Sequence, residues 1–261
     1  MAAFACNCLL LIRRLKEQVC APILQKWYAD DANAIGELPA LRKFLDMLTT
    51  SGPNYGYHVN PNKCWLIVHP GKAEEARRIF NGTPINITED GHPILGSAIG
   101  TEDYIRSFCD AKCEVYIREI DRLTEVAKEE PHLAYSAFVH CLQAQWLYLL
   151  RTTPMKVASL QCLDDAITTK FLPVLLKRPV ISTQEREWLS LPVREGGLGF
   201  NRWSNEEPSL EYQNSRRMSG PLSEKIDWEK AESNQDAIAV QIRRASKSDK
   251  RTSSQSVSRS Q

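Results

Sequence analysis

The stretch Tyr28-Ala29-Asp30-Asp31 places two carboxylates on adjacent residues. Two anions held side by side repel, which raises the pKa of at least one unless a cation lies between them. A divalent ion removes the conflict, and hard carboxylate oxygens suit Mg²⁺ or Mn²⁺. The run Ile23-Leu24-Gln25-Lys26-Trp27-Tyr28 before the acids is β-prone, and Ala34-Ile35 follows them. The acids are therefore expected at the tip of a tight hairpin.

Positioning such a tip requires a surrounding frame, and residues 21–69 read as a β-α-β unit. Leu38, Leu41, Phe44, Leu45 and Leu48 recur at helical spacing, with Pro39 suited to the first turn and Gly52-Pro53 as a stop. After a Gly/Asn/Pro-rich loop, Cys64-Trp65-Leu66-Ile67-Val68 reads as a buried strand ended by Pro70-Gly71. Residues 72–80 read as a short charged helix. Ile85-Asn86-Ile87, the turn signal Asp90-Gly91 and the returning Ile94-Leu95 predict a second hairpin over 84–99.

From Thr101 the pattern becomes helical. Thr101 can cap a helix running to about Glu130, Pro131 restarts one to about Arg151, and Pro154 opens a third. Ser182-Thr183-Gln184-Glu185 is a capping box for a fourth, short helix, followed by Leu191-Pro192 and the glycine-rich Gly196-Gly197-Leu198-Gly199-Phe200. Beyond Trp203 the composition is polar, and 204–261 reads as disordered apart from a short helix near Ile226 to Ala231. The fold class expected is α+β, divided into residues 1–100, 101–200 and a polar, basic tail at 201–261.

Charge and cysteine usage bound the function. The 261 residues carry a net charge of +1, so the whole chain gives no argument for nucleic acid. The tail differs: Arg243, Arg244, Lys247, Lys250, Arg251 and Arg259 stand against Asp249 alone after Gln241, a candidate phosphate-binding stretch. Arg216-Arg217-Met218-Ser219 and Arg243-Arg244-Ala245-Ser246 have the form of basic-directed kinase sites. Eight cysteines show no disulfide framework and read as reduced thiols of an intracellular protein, in cytoplasm or nucleus. Cys109 and Cys113 lie one helical turn apart, and a zinc site with His132 and His140 is weighed and set aside in favour of small buried thiols. The apolar run near the N-terminus precedes its positive charges and is too short to span a bilayer, so neither an export signal nor a membrane segment is expected. The chain opens inside an amphipathic helix with no lead-in, from which truncation is expected.

The ordered set Gln25-Lys26-Trp27-Tyr28-Ala29-Asp30-Asp31, amphipathic helix, Gly56-Tyr57 and Asn60-Pro61-Asn62-Lys63-Cys64-Trp65-Leu66-Ile67-Val68 resembles the C-terminal half of a reverse transcriptase palm. The resemblance is to reverse transcriptases of invertebrate retroelements and covers about residues 9–200, including the Leu191 to Phe200 motif in a thumb-like helical block. It implies a two-metal site using Mg²⁺ or Mn²⁺, in which Asp30 ligates metal and Asp31 is the more peripheral acid. It implies that Lys63 stands near the leaving pyrophosphate as a general acid, and that Leu95 and Gly96 support the primer terminus. RNA template and DNA primer are the partners implied; no protein partner is.

One departure reverses part of this. The resemblance calls for another metal-binding aspartate on a palm strand upstream, and for fingers residues that clamp the triphosphate. Residues 1–29 contain no aspartate, and their one acid is Glu17. The chain by itself is expected to hold half a site and to make no DNA, which leaves a non-catalytic nucleic-acid-binding or interaction remnant as the alternative.

Overall fold

A computed structural model describes residues 2–19, 23–155, 157–202 and 211–219. The fold is α+β, with two-stranded sheets set among helices. The chain divides into two compact units, Met1–His92 and Pro93–Gln261.

In the first unit, α1 (Ala2–Gln18) leads to β1 (Leu24–Tyr28) and β2 (Asp31–Ile35), which pair antiparallel with Tyr28 opposite Asp31. Helix α2 (Leu38–Ser51) has Pro39 in its first turn, as expected, and serves two cores at once. Ala40, Phe44 and Leu48 pack with Leu11 and Leu15 of α1 and with Trp27 and Ala32 of the hairpin. Leu38, Leu41 and Leu45 turn instead toward β3 (Trp65–Ile67), α3 (Ala73–Ile79) and β4 (Asn86–Thr88). The Arg42 guanidinium of α2 donates to the carbonyls of Ile79 (2.9 Å) and Asn81 (3.0 Å), where the end of α3 leaves acceptors unfilled. Glu89 accepts from the N–H groups of Gly71 and Ala73 at the other end of α3.

The second hairpin departs from the sequence reading. β4 pairs in parallel with β3, Trp65 opposite Asn86. The Asp90-Gly91 bend is held by the Thr88 hydroxyl, which accepts from Asp90 N–H at 3.1 Å. The hairpin is formed instead by β5 (Gly91–Ile94) and β6 (Ser97–Gly100), one turn signal later. Its loop is Leu95-Gly96, both left-handed (φ 47° and 82°), the backbone that a tight two-residue hairpin loop favours.

The second unit is built on α4 (Glu102–Glu129), whose first turn is capped by Thr101. Around it lie α5 (Pro131–Ala137), α6 (Gln143–Thr152), α7 (Val157–Ala166), α8 (Leu172–Leu175) and α9 (Thr183–Ser190). Single π-helical turns, Phe138–Leu142 and Ile167–Phe171, join α5 to α6 and α7 to α8. They bring Phe138 and Phe171 into a stack at 5.0 Å. Phe200 closes the cluster, fully buried and 5.0 Å from Phe138. The segment read as a glycine-rich turn is thus a clasp inserted into the helical core. Gln143 donates to the Gly199 carbonyl and accepts from Asn201 N–H, both at 3.0 Å, while the Tyr135 hydroxyl donates to the Leu198 carbonyl.

Arg186 locks that clasp. Its guanidinium, 2% exposed, donates to Asp164 (2.6 Å), to the carbonyls of Phe200 (2.7 Å) and Asn201 (2.9 Å), and to Thr168 (3.2 Å). Residues 211–219, placed in the disordered tail by composition, are helical. Glu211 pairs with Arg151 of α6 at 3.0 Å, and Arg216 lies over the Tyr212 ring. An ion pair and a ring contact add local support that a composition window averages away.

The capping box of α9 is present as expected. Glu185 accepts from the Ser182 N–H and hydroxyl, both at 2.9 Å, and pairs with Arg178. The backbone N–H first, then Arg178, hold its pKa down to about 2 from an ordinary 4.5. A folded pKa below the unfolded one gives stability that is complete above 4.5 and lost as pH falls toward 2. Amide protection in 183–190 is therefore expected to fall across that window, and the step should be absent in Glu185→Gln.

Candidate functional site

The β1–β2 hairpin presents the acidic pair at its tip, as the sequence predicts. Ala29 and Asp30 form the two-residue loop and Asp31 opens β2. Both aspartates are exposed. Ala29 adopts φ 51°, a left-handed conformation that costs a residue with a Cβ about 1–2 kcal/mol. Ala29→Gly is accordingly expected to stabilise the first unit by about 0.5–1 kcal/mol after its greater unfolded-state entropy is counted. Urea unfolding checks this; a loss of stability would show that the Ala29 methyl packs usefully.

Tyr57 holds the strained tip in place. Its hydroxyl donates to the Asp30 carbonyl at 2.9 Å and receives the Ala32 N–H, so one phenol spans both sides of the loop. The ring meets Trp27 of β1 edge-on at 5.2 Å. Burial, followed by Cys64, pushes the Tyr57 pKa up to about 12, with Asp31 adding to the rise. The phenol therefore keeps its donor proton throughout the ordinary pH range.

Tyr57 owes its position to Gly52. The Tyr57 N–H donates to the Gly52 carbonyl at 3.0 Å, and a Cβ on Gly52 would stand 2.5 Å from the Tyr57 carbonyl oxygen. The α-helix ends at Ser51 with Gly52 at its C-cap, as the Gly52-Pro53 stop predicts. Gly52 itself keeps a helical φ of −51°, and its lack of a side chain serves this close approach.

Lys63 lies in the 3₁₀ turn Pro61–Lys63, one residue before Cys64 and outside β3. It is exposed. Leu95 and Gly96 belong to the second unit and form the β5–β6 loop. The Tyr148 hydroxyl donates to the Leu95 carbonyl, and a Cβ on Gly96 would lie 3.3 Å from the Tyr148 ring. Arg243, Arg244 and Lys247 lie outside the described residues.

As donors, Asp30 and Asp31 suit a hard cation in oxygen type and accessibility. They do not close a shell. Among the described residues, no group of three or more His, Cys, Asp or Glu side chains is placed to hold a metal ion. A divalent ion held here would keep most of its ligands as water or take them from substrate.

Tyr57 enters the sequence reading only as part of an ordered motif, and its role as the brace of the acidic tip is what the sequence did not give. Its signal was the short interval from Gly52 through Gly56, whose left-handed backbone (φ 75°) turns the chain back toward the hairpin. No protein-family model, curated protein or solved structure matches the chain. Among the described residues, no helix is long and apolar enough to cross a membrane.

Proposed function

We propose that the chain carries the acidic-box half of a retroelement reverse transcriptase palm, followed by a thumb-like helical block, and engages primer and template without completing catalysis alone. The observation that supports this best is the exposed Asp30-Asp31 tip, braced by Tyr57. A polymerase palm needs acids presented to solvent and substrate, yet fixed within a few tenths of an ångström.

In this reading Asp30 would hold Mg²⁺ or Mn²⁺ and Asp31 would flank it. The metal, when bound, lowers the pKa of the primer 3′-hydroxyl and offsets charge on the phosphates. Tyr57 keeps the aspartate backbone in register, and Lys63 stands as proton donor to the departing pyrophosphate. In the Leu95-Gly96 loop, Gly96 carries no side chain and lets a primer end approach the backbone closely. The basic residues Arg243, Arg244 and Lys247 add sequence-independent phosphate contact.

The experiment pairs binding with extension. The 261-residue chain is expected to bind an RNA–DNA hybrid with affinity that falls steeply with salt. It is expected to give no primer extension with Mg²⁺ or Mn²⁺, because residues 1–29 hold no aspartate. Product that disappears in Asp30→Ala would overturn the inactivity and make the chain an enzyme. Salt-dependent binding that survives Asp30→Ala but not deletion of 241–261 would favour the non-catalytic remnant. Absence of hybrid binding would sink the polymerase-half reading and the nucleic-acid-binding remnant alike, and leave the interaction remnant.

A further inference from the structure

Cys113 and Cys162 meet where α4 packs on α7. Cys113 is 2% exposed and lines a small core cavity with Tyr116, Leu160 and Leu163. Cys162 is on the exposed face of α7. The Cys113 thiol is hydrogen-bonded to Cys162, and both are reduced. Cys109, one helical turn before Cys113, is buried beside it. One thiol is thus open to solvent, and a second, in contact with it, is closed off. Cysteines used only as small core residues do not require the exposed partner.

We propose that Cys162 and Cys113 form an oxidation site at which a hydroperoxide converts the pair into a disulfide joining α4 to α7. The Cys162 thiolate attacks the peroxide oxygen: an S–O bond forms, the O–O bond breaks, and the leaving alkoxide takes a proton. Cys113 then attacks the sulfenic sulfur of Cys162. The S–S bond forms, the S–O bond breaks, and hydroxide leaves with the Cys113 proton as water. The two thiols together lose two electrons, and the hydroperoxide accepts them as alcohol and water.

The order of steps follows from the surroundings. Cys113 is buried, and burial and then the neighbouring Cys162 push its pKa up to about 12. It is therefore the poorer first nucleophile and reacts only with the sulfenic sulfur already in contact with it, giving up its proton to the departing hydroxide. Exposure gives Cys162 the first encounter with oxidant. Cys141, exposed on the π turn after α5, provides an internal comparison within the same chain.

The full chain is treated with hydrogen peroxide, remaining thiols are alkylated under denaturing conditions, and the peptides are mapped by mass spectrometry. The expected product is a single cross-linked pair containing Cys113 and Cys162, with Cys109 recovered as alkylated thiol. The oxidised chain should melt at a higher temperature than the reduced one, and Cys162→Ser should abolish the difference. In Cys113→Ala, Cys162 should instead advance to sulfinic acid. Recovery of Cys113 as thiol while Cys162 of the unmodified chain reaches sulfinic acid would overturn the proposal. So would a cross-link through Cys109 or Cys141. Both overturning results are read on the unsubstituted protein, so they stand even if a variant folds poorly.

Discussion

Arg186→Met is expected to destabilise the helical unit by about 3–5 kcal/mol, the usual effect of removing one partner from a buried ion pair. Arg186 and Asp164 are 2% and 6% exposed as side chains. Arg186 is also the donor for the Phe200 and Asn201 carbonyls. The substitution therefore takes its shortest charged contact from a buried carboxylate that Arg202 reaches at 3.7 Å, and removes the donor to the Phe200 and Asn201 carbonyls, and the apolar side chain replaces none of these. Replacing both partners, Arg186→Met with Asp164→Leu, should recover part of the loss, because the buried carboxylate is gone while Arg202 gives up its 3.7 Å contact. Urea unfolding of the two variants against the parent separates these effects. Equal losses in single and double variants would mean that the carbonyl contacts, not the ion pair, carry the stability.

Gly52→Ala is expected to cost the first unit about 1–3 kcal/mol, toward the upper end because the obstacle is backbone. The new Cβ would meet the Tyr57 carbonyl oxygen at 2.5 Å and cannot be relieved by a rotamer change. The consequence extends beyond stability. Displacing Tyr57 removes the donor to Asp30 and the acceptor for Ala32, so the acidic tip should lose order. Tyr57→Phe removes that hydroxyl alone and should cost about 1 kcal/mol while leaving α2 intact. Amide exchange at Ala32 distinguishes the routes: both variants should expose it, but only Gly52→Ala should also expose the end of α2. Unchanged protection at Ala32 in Tyr57→Phe would remove the phenol from its bracing role.

The acidic hairpin was legible because its signals are local: β-prone residues on either side of a two-residue loop. The dual role of α2 was half legible, since Leu38, Leu41, Phe44, Leu45 and Leu48 announce a wide apolar face but not two destinations for it. The second hairpin was misplaced by one turn signal. Asp90-Gly91 is a strong local pattern, but the Thr88 hydroxyl and the parallel pairing of β4 with β3 decide its geometry. Thr88 lies close by but acts through a side-chain hydrogen bond that turn patterns do not encode, and β3 lies far upstream of any window around residue 90. Lys63 lies just ahead of the strand read from Cys64, in a turn where Pro61 favours a tight bend. The clasp at Leu198–Asn201 gave only its glycines away. Its partners, Gln143, Tyr135 and Arg186, are ordinary residues until the helices fold together.

That clasp also imposes an order of events during synthesis. Phe138 and Phe171 leave the ribosome well before Phe200, the ring that completes their cluster. At roughly 5–20 residues per second, the nascent chain spends several seconds with two large aromatic faces lacking their third wall. A holdase chaperone that recognises exposed aromatic surface has its opportunity in that interval, and a stall or stop codon before codon 200 would make it permanent.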